Sequence, residues 1–269
     1  MTDPVNQNTR LEVDSGRGAH LERVAFLPAT GGLRAAWDAA LRPLVGALWP
    51  SRGLICGDPG QDGRDLCAHC DRQLPWSGAA CHRCALPVPG TAANQATCTL
   101  CEHEPPPVAR THAAFAYAAP LDRLLPQLKF HGNLAVARLL ARLMAEAFAD
   151  LPAPDALVPV PLHRRRLRER GYNQAREIAA PLARGLGLRL RDDLLQRIRH
   201  TRPQSTLDAD ARQGNLDHAF AVGTRGPLPA HVVLVDDVMT TGATLHAAAW
   251  ALREAGVRRV DAWVVARAL

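Results

Sequence analysis

The sequence predicts an α/β fold, a parallel sheet flanked by helices, preceded by a small cysteine-rich metal-binding domain. Three observations carry that reading. Apolar strand-like runs alternate with helical ones from residue 108 to residue 269, the pattern of βαβ units. All seven cysteines fall between Cys56 and Cys101, in three CxxC units with a single cysteine upstream. The run Pro105, Pro106 and Pro107 then stiffens the exit from that segment and marks a domain boundary.

Taken in order, residues 1–34 mix Gly, Asp, Arg and Thr without periodicity and are expected to form a disordered tail. From Leu33 the apolar positions Trp37, Ala40, Leu41, Leu44, Val45 and Leu48 recur at helical spacing, with Pro43 as an interruption. Residues 35–105 are therefore assigned to a helix plus the cysteine domain, and residues 108–269 to the α/β domain. Within the latter, Ala113 to Ala118 reads as a strand, Leu121 to Lys129 and Leu134 to Phe148 as helices, and Ala156 to Val160 as a strand. Asn173 to Leu186 is helical and Ala219 to Val222 extended. Val232 to Val235 is an unbroken apolar run suited to a strand buried on both faces. A helix starts near Thr244 with Leu245, Ala248, Ala249 and Leu252 on one face and Gly256 as its C-cap; Val260 to Val265 returns as a strand. No internal repeat is visible beyond the CxxC units.

Composition excludes several classes. With 47% hydrophobic and 22% charged residues the chain is ordinary globular protein, and at 269 residues it holds one full core plus a smaller module. No basic segment followed by an apolar run resembles a signal peptide, and no run reaches the ~18 apolar residues of a membrane helix, so no membrane insertion and a cytoplasmic address are expected. The net charge of +6 suits an anionic partner, phosphate or nucleic acid. An odd cysteine count in CxxC pairs points to zinc thiolates rather than disulfides. Two CxxC units supply four thiolates for one zinc. Spacing leaves open whether Cys81/Cys84 joins Cys98/Cys101 or Cys67/Cys70, and His82 and His103 read as neighbours of a site rather than ligands.

The most informative segment is Val232-Val-Leu-Val-Asp-Asp-Val-Met-Thr-Thr-Gly-Ala-Thr-Leu245, a buried strand running into two carboxylates, a hydroxyl-rich turn and a helix. In an open parallel sheet the ligand crevice lies beyond the carboxyl ends of the strands, and Asp236 and Asp237 are expected at such an end. Adjacent carboxylates repel each other, so they favour ribose hydroxyl donors or a divalent cation as partners. Thr240, Thr241, Gly242, Ala243 and Thr244 can wrap a phosphate with backbone N–H groups, hydroxyls and the positive end of the following helix. A second segment, Val158-Pro-Val-Pro-Leu-His-Arg-Arg-Arg-Leu-Arg-Glu-Arg-Gly-Tyr-Asn-Gln174, also leaves a strand end and carries a dense arginine cluster facing an anion or solvent.

The Asp236 to Thr244 loop matches, residue for residue, the phosphoribosyl pyrophosphate loop of type I phosphoribosyltransferases. With Leu128-Lys-Phe-His-Gly132, Pro159-Val-Pro-Leu-His-Arg164, Arg170-Gly-Tyr-Asn-Gln174 and Arg199-His-Thr-Arg-Pro-Gln204 followed by Leu207, Arg212 and Asn215, the chain resembles the ComF family, whose Gram-negative members are often called GntX, over most of its length. The resemblance implies a type I phosphoribosyltransferase fold behind an N-terminal double zinc ribbon. It also implies that phosphoribosyl pyrophosphate or another ribose 5-phosphate compound binds with magnesium. Asp236 and Asp237 would then hold the ribose 2- and 3-hydroxyls. Val238, Met239 and Thr240 to Thr244 would form the 5-phosphate loop, Lys129, His163 and Arg164 would lie near the pyrophosphate, and Arg197 to Asn215 would form a hood. Cys81, Cys84, Cys98 and Cys101 would be the complete zinc site. The other site departs from the pattern, because Gly53 stands in place of a first cysteine and leaves Cys56, Cys67 and Cys70; His69 or an Asp such as Asp58 completes it, or it is lost. The family's link to DNA uptake and use adds single-stranded DNA or DNA-uptake proteins as partners, although 4% aromatic residues offers little surface for stacking bases.

Overall fold

The computed structural model describes residues 51–61, 63–88, 96–199, 219–223 and 226–269. The tail, the helix read from Leu33 and most of the Arg197 to Asn215 segment lie outside the described residues. Two cysteine knuckles come first, containing the short helices α1 (Ala68–Arg72) and α2 (Thr99–His103), each capped by a cysteine, Cys67 and Cys98. The α/β part follows as β1 (Thr111–Ala116), α3 (Leu121–His131), α4 (Leu134–Phe148), β2 (Ala156–Pro159), α5 (Arg164–Arg170) and α6 (Gln174–Leu186). It continues as β3 (Leu195–Arg197), β4 (Phe220–Val222), β5 (His231–Met239), α7 (Ala243–Glu254) and β6 (Arg259–Arg267).

The main sheet has the order β1-β6-β5-β2, and every neighbouring pair is parallel, as the alternating pattern predicts. β3 and β4 do not join it. They pair antiparallel as a separate two-stranded ribbon, so the extended segment ending at Val222 belongs to a small flap and not to the sheet. The helix Arg164–Arg170 was not foreseen either, since a run of arginines with one leucine carries no apolar periodicity. Gly256 stands one place beyond the true cap of α7, Ala255.

Caps and apolar faces explain the rest. Asn133 and Asn173 cap α4 and α6, each side chain accepting the N–H two residues on, of Ala135 and Ala175. Asn173 also donates to the Val160 carbonyl at 3.0 Å, which ties the start of α6 to the end of β2. One face of the sheet is covered by α3, α4 and α6 through Leu124, Leu140, Leu143, Ile178 and Leu182, packed with Val233, Val235 and Val265. The other face is covered by α7 through Leu245, Ala248 and Leu252, packed with Val232, Leu234 and Val264.

The cysteine knuckles are part of this packing. Leu66, Cys67, Cys70 and Leu74 lie in the cluster of the first face, and Cys81, Cys84 and Cys101 in that of the second. Thr111 at the start of β1 donates its N–H to the His82 carbonyl and its hydroxyl to that of Arg83, at 2.8 and 2.7 Å. A metal-organised segment that shares both hydrophobic clusters with a sheet unfolds with it. Chelating the zinc is therefore expected to move a single calorimetric unfolding transition to lower temperature. Two separate transitions, with the sheet's unchanged, would show that the knuckles contribute nothing to the sheet's stability.

Candidate functional site

β5 sets the site. Val232 to Val235 are fully buried, and the strand continues through Asp236, Asp237 and Val238 to Met239 before the chain turns. The two carboxylates lie toward the carboxyl end of the strand as expected, but within it, because the strand runs past Val235, where the apolar run stops, to Met239. The reason is β6, which is equally long and keeps pairing as far as Met239↔Arg267.

Asp237 is 5% exposed and Asp236 is half-buried. Asp236 Oδ1 accepts the Asp237 N–H at 2.9 Å, and Asp237 Oδ1 accepts the Val238 N–H at 2.8 Å. Lys129, on the last turn of α3, brings Nζ to 3.9 Å from Asp237 Oδ2. Burial, reinforced by the adjacent Asp237 charge, lifts the Asp236 carboxyl well above the usual carboxylate range, and Lys129 opposes the shift. Such a pair is short of positive charge and hydrogen-bond donors, which a diol or a divalent cation supplies.

The turn follows directly. Thr240 and Thr241 are exposed, Ala243 and Thr244 half-buried, and the Thr241 hydroxyl accepts the Ala243 N–H at 3.4 Å. Gly242 caps α7 with φ of 82°. The conformation demands glycine, and a Cβ there, 2.5 Å from Met239 Cε and 2.9 Å from His246 Nε2, would also displace those side-chain ends.

Two residues at the back of the turn escaped sequence reasoning. Arg267, at the end of β6 and 7% exposed, donates to the carbonyls of Cys84 at 2.8 Å and Met239 at 3.0 Å, and also to those of Thr240 and Ala268. His246, on the first turn of α7, has Nε2 buried without a hydrogen-bond partner among the described residues. Burial, and then the nearby Arg267, push its pKa below the ordinary histidine value. Neither position was marked as buried by the sequence patterns, since Arg267 follows the apolar run Val260 to Val265 and His246 lies off the face of Leu245, Ala248, Ala249 and Leu252.

The arginine segment is less uniform than its sequence suggests. His163 caps α5, its Nδ1 accepting the Arg165 N–H at 3.3 Å, and Arg164 is exposed. Arg165 pairs with Glu169 at 2.9 Å on the surface. Arg170 lies over the Phe130 ring at 6.0 Å. Arg166 is half-buried, and its charge, after burial itself, lowers the pKa of Arg197, while Asp236 raises it. Arg197 on β3 stacks over Phe220 at 5.5 Å. Arg197 thus feels the charges of both Arg166 and Asp236, while Lys129 is the cation in contact with the carboxylate pair. A cleft of about 360 Å³ is lined by Pro159, Leu162, Tyr172, Asn173 and Arg176, and its lining does not include the carboxylates.

The cysteines resolve into two groups. The sulfurs of Cys81, Cys84, Cys98 and Cys101 lie within 4.8 Å of one another, a donor set that fits tetrahedral zinc, and the alternative pairing of Cys67/Cys70 with Cys81/Cys84 is excluded. Burial opposes ionisation of Cys81, but the N–H groups of Cys98, Arg83 and Cys84 aimed at its sulfur hold the thiol down to about 7. Cys56, Cys67 and Cys70 form the second group, with neither His69 nor Asp58 inside it.

Comparison with known proteins supplies the family. Residues 44–109 match the double zinc ribbon domain and residues 170–269 the phosphoribosyl transferase domain. The DNA utilization protein YhgH of Salmonella typhi is 37% identical over 213 residues, 76% of this chain and 91% of that protein. Competence protein F of Haemophilus influenzae is 34% identical over 211 residues, covering 76% and 90%. The chain belongs to the ComF family. Competence protein ComFC of Bacillus subtilis, a more distant relative, is 29% identical over 55% of this chain and 59% of its own. Among solved structures, an adenine phosphoribosyltransferase overlaps 54% of this chain and 75% of its own with a TM-score of 0.32 and 19% identity, too slight a likeness to add to the assignment. Among the described residues no helix is long and apolar enough to cross a membrane.

Two predictions follow from the geometry of this ComF-family site. Gly242→Ala places a side chain at positive φ against Met239 and His246, and is expected to cost about 1–3 kcal/mol in denaturant unfolding; an unchanged midpoint would show that the turn relaxes freely. Asp236 binds a proton more readily folded than unfolded, so stability falls as pH rises from the ordinary carboxylate range through the raised value. Asp236→Asn removes that loss, and its melting temperature at neutral pH is expected to equal or exceed the parent's, the difference closing at acid pH.

Proposed function

We propose that the chain binds phosphoribosyl pyrophosphate, or a closely related ribose 5-phosphate compound, with magnesium, as a phosphoribosyltransferase-type protein of the cytoplasm whose acceptor is undefined. The observation that carries this reading is the continuity of β5 with its turn: two strand-borne carboxylates lead within five residues into a glycine-capped, hydroxyl-lined bend at the start of the twelve-residue α7. Asp236 and Asp237 accept from the ribose hydroxyls. Thr240 to Thr244, with Val238 and Met239 shaping the entry, hold the 5-phosphate through N–H groups and hydroxyls at the positive helix end. Lys129, Arg166 and Arg197, with His163 and Arg164 at the mouth, supply charge for the pyrophosphate. Magnesium, when bound, offsets charge on that leaving group, and the paired carboxylates suit it.

Displacement of pyrophosphate from the anomeric carbon needs a nucleophile, which the acceptor brings. Calorimetric titration of the zinc-loaded protein with phosphoribosyl pyrophosphate is expected to give saturable, magnesium-dependent binding that Asp236→Asn abolishes. Absence of binding to the folded parent protein overturns the reading.

A second reading is a nucleic-acid accessory role, favoured by the exposed Arg164, Arg165 and Arg168 of α5 and by relatives named for DNA utilization and competence. It requires affinity for single-stranded DNA that falls steeply with salt, is lost when these arginines are replaced and is indifferent to Asp236→Asn.

A further inference from the structure

The two cysteine knuckles share one backbone hydrogen-bond pattern, residue for residue, as expected of a double zinc ribbon with Gly53 in place of a first cysteine. In the second knuckle Cys81 N–H donates to Leu86 O and Ala85 N–H to Cys81 O, both at 2.8 Å; in the first, Gly53 N–H donates to Asp58 O at 2.7 Å and Gly57 N–H to Gly53 O at 2.8 Å. The bridge Ala80↔Pro87 has its counterpart in Arg52↔Pro59. The crossing bond from His82 N–H to Ala96 O, 2.9 Å, has its counterpart from Leu54 N–H to Asp65 O, also 2.9 Å. The helical halves agree as well, with Asp71 N–H to Cys67 O and Glu102 N–H to Cys98 O both at 3.0 Å. Cys56, Cys67 and Cys70 therefore occupy the places of Cys84, Cys98 and Cys101, and Gly53 occupies that of Cys81.

The side chain that Gly53 lacks would have been a ligand. A Cβ built on Gly53 meets Cys56 Sγ at 3.4 Å and Cys67 N at 3.5 Å, ordinary contact distances. In the complete knuckle the sulfur on the equivalent residue, Cys81, accepts the N–H of Cys98 at 3.3 Å, and Cys98 is the counterpart of Cys67. Meanwhile the three remaining thiols are still gathered, with Cys56 and Cys67 sulfurs 3.4 Å apart and Cys67 Sγ accepting the Cys70 N–H at 3.4 Å. Cys56 is exposed, whereas all four cysteines of the complete knuckle are at least partly buried.

We propose that the first knuckle is a zinc site of three thiolates whose fourth ligand is exchangeable: a solvent molecule that a small thiol or imidazole displaces. Three protein ligands with one open position is the arrangement of zinc sites that take an exogenous ligand, whereas four thiolates close the site. The two zinc ions of one chain then differ in lability. This inference does not depend on the sugar-phosphate reading.

The test uses the full-length zinc-loaded protein and a coloured chelator. Two zinc ions per chain are expected, one released at least about tenfold faster than the other, as loss of a ligand or its support commonly weakens a site by that factor or more. Cys56→Ser is expected to abolish the fast phase and leave one zinc. Gly53→Cys is expected to keep two zinc ions and make both slow. With cobalt in place of zinc, added imidazole is expected to change the visible absorption of the parent protein and not that of Gly53→Cys. A single slowly released zinc in the parent, unaltered by Cys56→Ser, overturns the proposal because the site then holds no metal. Two equally slow ions, or a fast phase that quickens further in Asp58→Ala, overturn it because a protein group then closes the site.

Discussion

The buried guanidinium of Arg267 is the contact through which the parts of this molecule meet. A turn that binds phosphate must aim its N–H groups at the ligand, and its carbonyls are then driven backwards into protein, where a missing donor costs about 1–3 kcal/mol for each group. Arg267 fills that role for Met239 and Thr240 and, with the same side chain, holds the carbonyl of the zinc-site residue Cys84. Burial lowers the pKa of its guanidinium and the Cys84, Cys101 and Cys98 thiols raise it, so the cation that shapes the loop is itself supported by the cysteine cluster. Register makes this possible: because β5 and β6 are equally long, the last pair of the ladder, Met239 and Arg267, falls at the point where the chain leaves the sheet.

The carboxylates oppose this order. Asp236 and Asp237 are neighbours on a buried strand, and the folded chain holds them together against repulsion and loss of water, with Lys129 as a partial counterweight at 3.9 Å. Strand pairing on both sides of β5 sustains the arrangement, since four buried apolar residues precede the pair and the ladder continues past it. What the unliganded protein loses in stability there is regained by any ligand that brings hydroxyl donors or positive charge to the pair. A site of this kind is organised before its ligand arrives, and the strain is placed where the ligand relieves it.

How much of this was legible in the sequence depended on whether the determinant was local. The parallel sheet, the helix Leu134–Phe148, the cysteine pairs and the carboxylate-to-turn segment all announce themselves through periodicity or spacing within a few residues. The segment Ala219 to Val222 reads as extended, but its partner β3 and their antiparallel pairing do not, because the two strands are separated by more than twenty residues and a three-residue strand such as β3 has too short a pattern to read. Arg267 and His246 were invisible for a related reason. Each looks like a polar residue in an apolar element, and only the arrival of Cys84 and Met239, distant in sequence, gives the arginine its function. The strand end was misplaced because the sequence reading stopped where hydrophobicity stopped, while the hydrogen-bond ladder with β6 does not require apolar side chains.

The two zinc ribbons differ in consequence as well as in ligand count. The complete one packs its cysteines with Met239, Leu245 and Ala248, the residues that flank the Thr240 to Thr244 turn, and it holds Arg267 through Cys84. A loosened metal there would release the donor that satisfies the back of the turn. The incomplete ribbon packs Leu66, Cys67, Cys70 and Leu74 with the helices of the opposite face, among them Leu124, Leu140 and Leu143, where apolar contact maintains the fold with or without a fourth ligand. The same asymmetry sets the four-cysteine group, which the turn's carbonyls reach through Arg267, apart from the three-cysteine group, which packs against the helices of the opposite face.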